Sequence, residues 1–300
     1  MNKSIDHLPA SKRNNLTYIV DVLRDELEQV TGFATANKKH GRILKIILFG
    51  SFATGKWVNK PAYGYVSDYD ILVIVNQHEL VEEYKIWDLA EDRIGLRVRQ
   101  PLNILVHTLE DVNNALIQGQ YFFTDIKRQG IVLYESDKRE LAEAGNLTPQ
   151  EYKNIAEQHY DYWYESTKVF YFQYENAFNA LYYNNAAFQL HQATEHCYSC
   201  FLLVLTNYKP YTHNLIRLNS LAISQKEQVA EVFPQDTKMH RRRFQLLKKA
   251  YVDARYSKHY KISEEELVWL AERVRHLQEL TAILCQEKIA SFEQLPINNE

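Results

Sequence analysis

The chain has 300 residues and is poor in cysteine, in net charge and in long apolar runs. Three cysteines, an odd number for this length, argue against a disulfide framework and fit a reducing compartment. A formal net charge of −3 argues against nucleic-acid binding through overall charge and leaves only a local basic patch open. No run approaches the ~20 apolar residues of a membrane span, and the first residues lack the apolar core of a signal peptide. We therefore expect a cytoplasmic protein without a membrane partner.

Two regions of different character follow one another along the chain, and the length also suggests about two domains. Apolar residues at helical spacing over Leu16–Val30 predict a helix. Strand-length and helix-length segments then continue to about Asp137, and the polar stretch Lys138–Leu147 marks a linker. We predict an α/β sheet domain over residues 1–140. Its predicted strands are Ile43–Phe49, Ile71–Val75, Arg97–His107 and Ile131–Tyr134, and its later helices are Glu79–Gly95 and Leu109–Gln118.

A Gly-Ser turn follows the first predicted strand. Ile43–Phe49 is a β-branched and aliphatic run of strand length, which predicts a buried central strand that ends at Gly50. A glycine there lets the backbone adopt a positive φ and approach a ligand closely, and Ser51 adds a hydroxyl beside exposed backbone N–H groups. Such a turn suits a triphosphate.

Two aspartates open the second predicted strand. Strand alternation places Asp68 and Asp70 on one side of the sheet and Tyr69 on the other. Two carboxylates one strand step apart repel each other unless a cation lies between them, and Mg²⁺ prefers oxygen ligands. Taken alone, the Gly-Ser pair is equally well explained as an ordinary turn, and the acids as solvated residues that open a strand. Their order, with a polar loop between them, favours phosphoryl chemistry.

The order G-S, loop, D-x-D resembles the signature of the nucleotidyltransferase superfamily, in its DNA polymerase beta-like, minimal form. Tyr121–Ser136 is similar to the helix and final strand that close the minimal domains. The resemblance implies that Gly50 and Ser51 bind a nucleoside triphosphate (NTP), with ATP favoured. It also implies that Asp68 and Asp70 are catalytic and hold Mg²⁺ or Mn²⁺.

Two positions depart from the pattern of this family. A third carboxylate on a neighbouring strand completes the family's site, and the matching position in RQPLNILVHT is Asn103. An asparagine offers a metal a carbonyl oxygen but supplies neither charge nor a base, so we expect impaired transfer with nucleotide binding retained. Thr54 stands where many relatives carry a basic residue.

After the linker the strand pattern stops. Thr148–Glu151 and Ser263–Glu266 each read as a capping box, and the first also has proline at the first helical position. Between them, Ala186–Leu205 and Phe244–Ala254 show apolar residues at spacings of three and four. We therefore predict an all-α bundle of four or five helices over residues 148–292, which makes the whole chain an α+β multidomain protein.

Three pieces of this half, AAFQLHQATEH, THNLIRL and DARYSKHY, resemble HEPN domains in their order. Such domains occur fused to or beside minimal nucleotidyltransferases, and the resemblance implies a homodimer through this half, with RNA as a further candidate partner. In active members an arginine, four to six residues and a histidine form a metal-independent RNase site at a dimer interface. Here three residues separate Arg255 from His259, a helical spacing that still places both on one face. An equal alternative is that both are solvated residues near a helix end, where the negative end of the helix dipole favours cations.

Two further features have plainer explanations. The basic stretch Lys238–Lys261 contains Asp253 as its only acid and could contact RNA, but such a run is more often the solvated face of a helix. Cys197 and Cys200, close to His191, suggest zinc. They lie one helical turn apart without a second pair, however, and free cysteine packs as a small hydrophobe.

These features predict a nucleotidyltransferase that moves a nucleoside monophosphate from Mg–NTP to an unknown acceptor. One alternative is small-molecule modification, because kanamycin-type nucleotidyltransferases share the plan of an α/β domain followed by helices. The other is a regulatory module in which a weakened transferase controls a HEPN RNase or nucleotide-binding domain, as in toxin–antitoxin pairs. An acidic cleft would favour the former, and Arg255 and His259 facing their copies across a dimer would favour the latter.

Overall fold

The computed structural model describes residues 1–32, 40–57, 59–60 and 65–294. They form two compact units. The first consists of Met1–Asn59 and Val66–Asn146, and the second contains Lys60, Tyr65 and the described residues from Leu147 onward. Part of the polar loop between the Gly-Ser turn and the aspartate pair lies outside the described residues.

The first unit is an α/β structure. The elements of the chain up to the linker are α1 (Ala10–Gly32), β1 (Ile43–Phe49), α2 (Gly50–Thr54), β2 (Asn59–Lys60), β3 (Tyr65–Val66), β4 (Tyr69–Val75), α3 (His78–Glu82), α4 (Tyr84–Gly95), β5 (Leu102–Thr108), α5 (Leu109–Ile117), α6 (Tyr121–Gln129) and β6 (Ile131–Glu135). Four strands form a sheet in the order β5-β4-β1-β6, in which β4 and β5 are parallel and β1 is antiparallel to both of its neighbours. β2 pairs with β3 in a separate ribbon.

The two central strands are buried along their whole length, as their apolar runs predicted. Alternate side chains of β1 and β4 pack against α1 and α4 to form the main core, which includes Tyr69. Asp70, the next residue along β4, therefore lies on the opposite face of the sheet. Members of this core are Leu16, Ile19, Leu23, Ile46, Leu48, Ile71, Val73, Ile86 and Ala90.

Two predicted elements of this unit have different limits. The helix predicted over Glu79–Gly95 is divided into α3 and α4 at Glu83, whose φ of −82° and ψ of 67° are not helical. The strand predicted from Arg97 begins only at Leu102, because the N–H groups of Arg97 and Val98 still bond the Ile94 carbonyl at the end of α4.

The second unit is helical. It contains α7 (Pro149–Asn179), α8 (Tyr183–Thr206), α9 (Leu215–Gln225), a 3₁₀ turn (Glu227–Glu231), α10 (Lys238–Lys249), α11 (Asp253–Tyr256) and α12 (Glu264–Phe292). The long helices α7, α8 and α12 pack against one another, and α9, α10 and α11 pack against α8. Within the described ranges, no helix combines the length and apolar character needed to span a membrane.

The ends of the helices follow their capping residues. The capping boxes predicted at Thr148 and Ser263 are present, with both reciprocal hydrogen bonds between side chain and backbone formed in each. The helix predicted over Phe244–Ala254 instead begins at Lys238, because the Thr237 side chain accepts the N–H of His240 and caps it. It ends at Lys249, and the separate α11 follows.

Candidate functional site

The chain turns sharply where β1 ends. Gly50 has a φ of 70°, in the left-handed region, and begins the short helix α2. A Cβ atom at Gly50 would lie 2.3 Å from Oδ2 of Asp70, which is too close for two atoms that are not bonded. The position therefore requires glycine for its backbone conformation and for its missing side chain. The result is direct contact between the turn and the Asp70 carboxylate.

Asn103 lies between the two aspartates. The register of the parallel strands β4 and β5 pairs Asp70 with Asn103. The Asn103 amide donates to Oδ1 of Asp70 at 3.0 Å and to Oδ2 of Asp68 at 3.1 Å. One neutral NH₂ group thus bridges two carboxylates. The structure brings Gly50, Asp68, Asp70 and Asn103 together, while their chemical roles stay predictions.

The environment of Asp70 disfavours its charge. Its side chain is 2% exposed. The pKa of Asp70 is raised to about 7, chiefly because burial disfavours the carboxylate and also because of the nearby charge of Asp68, while the hydrogen bond from Asn103 acts in the opposite direction. Two close carboxylates with a neutral partner leave excess negative charge at this end of the sheet, which a cation would offset.

The donor set fits one Mg²⁺ ion. Magnesium is commonly held by one or two carboxylates together with substrate phosphates and water, and Asp68 and Asp70 supply the two carboxylates. Among the residues that the structure describes, no group of three His, Cys, Asp or Glu side chains could hold a metal. At this site the third side chain, beside Asp68 and Asp70, is the Asn103 amide, and its match to a third carboxylate stays a prediction.

The rest of the turn is held by its own backbone. The Ser51 carbonyl accepts the N–H groups of Gly55 and Lys56. The Thr54 hydroxyl donates to the Gly50 carbonyl at 3.1 Å, so this side chain folds back onto α2. Ser51 therefore has a fixed place beside Gly50, and its proposed contact with a nucleotide stays a prediction.

An aromatic stack supports the turn from the other face of the sheet, and the sequence analysis missed it. Tyr69 stacks on Phe52 with ring centroids 4.4 Å apart, and Phe52 stacks on Trp57 at 5.5 Å. The Lys12 ammonium lies 5.6 Å from the Phe52 ring, and burial lowers the pKa of this lysine. His7 also bonds the Phe52 carbonyl at 2.9 Å. His7 and Lys12 lie some 40 residues from the turn, so no local pattern indicated them.

The second unit places Arg255 and His259 differently from the sequence prediction. The helix α11 ends at Tyr256, and Ser257 is extended, so the expected helical spacing of the pair is wrong. The Arg255 Nε donates to the Tyr251 carbonyl at 2.6 Å, and its guanidinium lies 4.7 Å from the Phe188 ring. His259 is exposed in the following turn. Arg255 thus contacts a backbone carbonyl and an aromatic ring of its own unit, and a functional role of Arg255 and His259 stays a prediction.

A buried carboxylate in α8 was also missed. Glu195 is 4% exposed, and its Oε2 lies 2.9 Å from Nδ1 of His213 and 3.5 Å from Nε2 of His191. Burial alone would raise the pKa of Glu195, but the hydrogen bonds and charges of the two histidines outweigh it and hold the pKa below its usual value. His213 stacks on Tyr251 at 4.1 Å. Glu195 therefore fixes the loop that carries His213 to α8.

The cysteines behave as buried side chains. Cys197, Cys200 and Cys285 are free and buried, and burial raises the pKa of Cys197 to about 12. Such thiols are poor nucleophiles and poor metal ligands. This agrees with the prediction that Cys197 and Cys200 pack as small hydrophobes.

Two known families match separate parts of the chain. A family described as "Polymerase beta, Nucleotidyltransferase" matches residues 33–139, and a family described as "HEPN domain" matches residues 160–283. No curated protein is significantly similar to the chain. The order of the two matches confirms the predicted arrangement of domains, and the α/β and helical units agree with it.

Proposed function

Because the chain carries a nucleotidyltransferase domain of the polymerase beta type followed by a HEPN domain, we propose that its first domain binds a Mg–NTP unit and transfers a nucleoside monophosphate. The observation that carries the proposal is the contact of the Gly50 turn with the Asp70 carboxylate, which the Asn103 amide joins to Asp68 at one end of the sheet. The acceptor is undefined, and ATP is the nucleotide that we favour.

Each residue of the site has a distinct task in this proposal. Asp68 and Asp70 supply hard oxygen ligands, and Gly50 allows the nucleotide phosphates to approach the backbone beside the Ser51 hydroxyl. Mg²⁺, when bound, would offset phosphate charge and favour departure of pyrophosphate. The acceptor oxygen attacks the α-phosphorus, the bond to the β-phosphate oxygen breaks, and the acceptor loses a proton. Asn103 cannot take this proton, because an amide is not a base at neutral pH.

Calorimetric titration of NTP and Mg²⁺ or Mn²⁺ into the full chain tests the proposal. We expect metal-dependent binding that is lost in the double variant Asp68→Asn, Asp70→Asn. A matched control is Asp88→Asn, Asp92→Asn, which removes two exposed acids of α4 in the same domain and should bind normally. Equal affinity in the site variant, with circular dichroism unchanged, would disprove the assignment.

A binding or regulatory module is the second candidate, and Asn103 is the observation that favours it. With an amide at the proposed position of a third acid, the site retains ligands for one metal, and Asn103 cannot act as the base that a third acid would provide. Nucleotide binding without turnover would then report the nucleotide level to the HEPN domain or to a partner. Incubation with labelled ATP, with and without RNA or aminoglycosides, separates the two candidates: labelled product supports transfer, and binding without product supports the module.

A further inference from the structure

The exposed face of α10 carries a row of cations. Residues that share one face of a helix recur at spacings of three, four and seven. Arg241 and Arg242 follow Lys238 by three and four residues, and Lys249 follows Arg242 by seven. All four are exposed, and α10 contains no acidic residue. We call these four residues the α10 stripe. Several of its cations stand near the helix N-terminus, where the helix dipole disfavours positive charge, so the row does not stabilise its own helix.

A second group of cations lies beside the stripe, around Trp269 of α12. The guanidinium groups of Arg243 and Arg273 lie 5.1 and 5.9 Å from the indole ring, and the His240 ring stacks on it at 5.1 Å. The Nε atoms of Arg243 and Arg273 are buried without a hydrogen-bond partner. Two positively charged guanidinium groups therefore lie near one aromatic ring, and the Nε donor of each makes no hydrogen bond.

Neighbouring acids offset this charge only in part. Glu266 accepts from Arg242 at 3.0 Å, and Asp236 bonds His240 at 2.6 Å. Arg241 donates to the backbone carbonyls of Gln235 and Asp236, which carry no net charge. Excess positive charge thus persists along the stripe, in a chain whose net charge is −3.

We propose that the α10 stripe, with the cations around Trp269, binds the phosphate backbone of a single nucleic-acid strand. Twelve helical residues extend about 18 Å, which corresponds to roughly five phosphates of a stacked strand at ~3.4 Å each. A single phosphate would engage only a fraction of this length, and a row about one cation wide follows one backbone rather than two. The surface belongs to the HEPN domain and does not depend on the nucleotide proposed for the first domain.

The test is fluorescence anisotropy of labelled 20-nucleotide uridine RNA and thymidine DNA with the full chain at increasing KCl. The variant Lys238→Gln, Arg241→Gln, Lys249→Gln should weaken binding at least about tenfold at low salt and make the salt slope less steep by about 2, since each phosphate contact on a single strand contributes ~0.7. The control Lys153→Gln, Lys168→Gln, Lys209→Gln changes net charge equally outside the stripe and should leave both quantities unchanged.

The comparison of strands and the emission of Trp269 complete the design. Equal affinity for RNA and DNA supports backbone recognition alone, and preference for RNA supports an added contact with the 2′-hydroxyl. Trp269 emission should change on binding, and Trp269→Phe should remove that change. Equal binding by the stripe variant and its control, or no binding by the wild type at 50 mM KCl, would overturn the proposal. The stripe variant should bind Mg–ATP with the wild-type affinity in calorimetry. A loss of strand binding can then be distinguished from a defect of the nucleotide site.

Discussion

At the scale of single residues, Gly50 is the position with the least freedom to change. Its φ of 70° is unfavourable for any residue with a side chain, and an added Cβ would meet Asp70 at 2.3 Å. We expect Gly50→Ala to lower the free energy of unfolding of the first domain by about 1–3 kcal/mol, because the change combines strain with displacement of a buried carboxylate. Thermal unfolding of the wild type and the variant measures this difference in free energy.

Gly95 provides the matched control for this prediction. It ends α4, and a Cβ added there meets no atom within 4 Å. Gly95→Ala should therefore leave the stability of the same domain unchanged or slightly higher. Similar destabilisation by both substitutions would show that the close approach of Gly50 to Asp70 has no energetic consequence.

Asn103 determines how the two aspartates share their charge. Asn103→Asp replaces the bridging NH₂ group with a third carboxylate beside Asp68 and Asp70, so without metal we expect a lower melting temperature from repulsion. With Mg²⁺ the variant should have the higher melting temperature of the two proteins, because a third oxygen ligand binds the ion more tightly. Any nucleotidyl transfer should also increase.

The measurement is the shift in melting temperature between EDTA and Mg²⁺, together with the transfer rate. Asn113→Asp is a suitable control. Asn113 lies on α5, away from the aspartates, and its side-chain oxygen accepts the backbone N–H of Ala142. A metal-dependent shift no larger than that of the wild type, with an unchanged transfer rate, would show that Asn103 is not the third-ligand position.

At the scale of elements, Glu195 connects α8 to the loop that carries His213. Its folded-state pKa lies below the usual value, so its contribution to stability is present above the unfolded pKa of about 4.3 and is lost as pH falls through the lower folded value. Glu195→Gln should destabilise the helical domain by about 2 kcal/mol at pH 7, where a charge-assisted hydrogen bond is lost, and should flatten its stability below pH 4.5.

Thermal melts of the full chain between pH 3.5 and 7.5 measure this effect on the transition of the helical domain. Glu175→Gln removes an exposed acid of α7 and should follow the wild-type profile. If Glu195→Gln retains the wild-type dependence on pH, the two histidines do not stabilise the charged carboxylate.

Local rules explain which elements and site residues the sequence predicted. The period of two along β4 placed Asp68 and Asp70 together, and the parallel register of β5 then brought Asn103 to them. Capping boxes at Thr148 and Ser263 likewise involve contacts within four residues. The aspartate pair and the capping contacts lie within a few residues, so sequence spacing predicts them, whereas Asn103 was predicted only through the family resemblance.

The features that were missed depend on contacts between distant segments or on backbone dihedrals. The bond of His213 to Glu195 requires the loop after α8 to fold back on that helix. His259 lost its expected relation to Arg255 because Ser257 is extended, which no spacing rule indicates. The support of the Gly50 turn by Lys12 brings α1 to α2 across the unit.

At the scale of the whole molecule, the proposed homodimer concerns the helical domain. The outer surface of α7 exposes large hydrophobic side chains, of which Tyr162 is 70% and Phe172 is 62% exposed. Solvent-exposed rings on one element favour association, because burying them removes apolar area from water. We propose that this surface of α7 forms the contact between two copies.

We expect light scattering of the full chain at micromolar concentration to give the mass of a dimer, and Tyr162→Glu with Phe172→Glu to give a monomer. The charges would have to be buried at the contact, which is unfavourable without partners. Tyr84→Glu, at a 64% exposed tyrosine of the first domain, is the control and should stay dimeric. A wild-type monomer would disprove the dimer, and a dimeric α7 variant would place the contact on another surface. The monomeric result alone would also count against a nuclease site shared between copies.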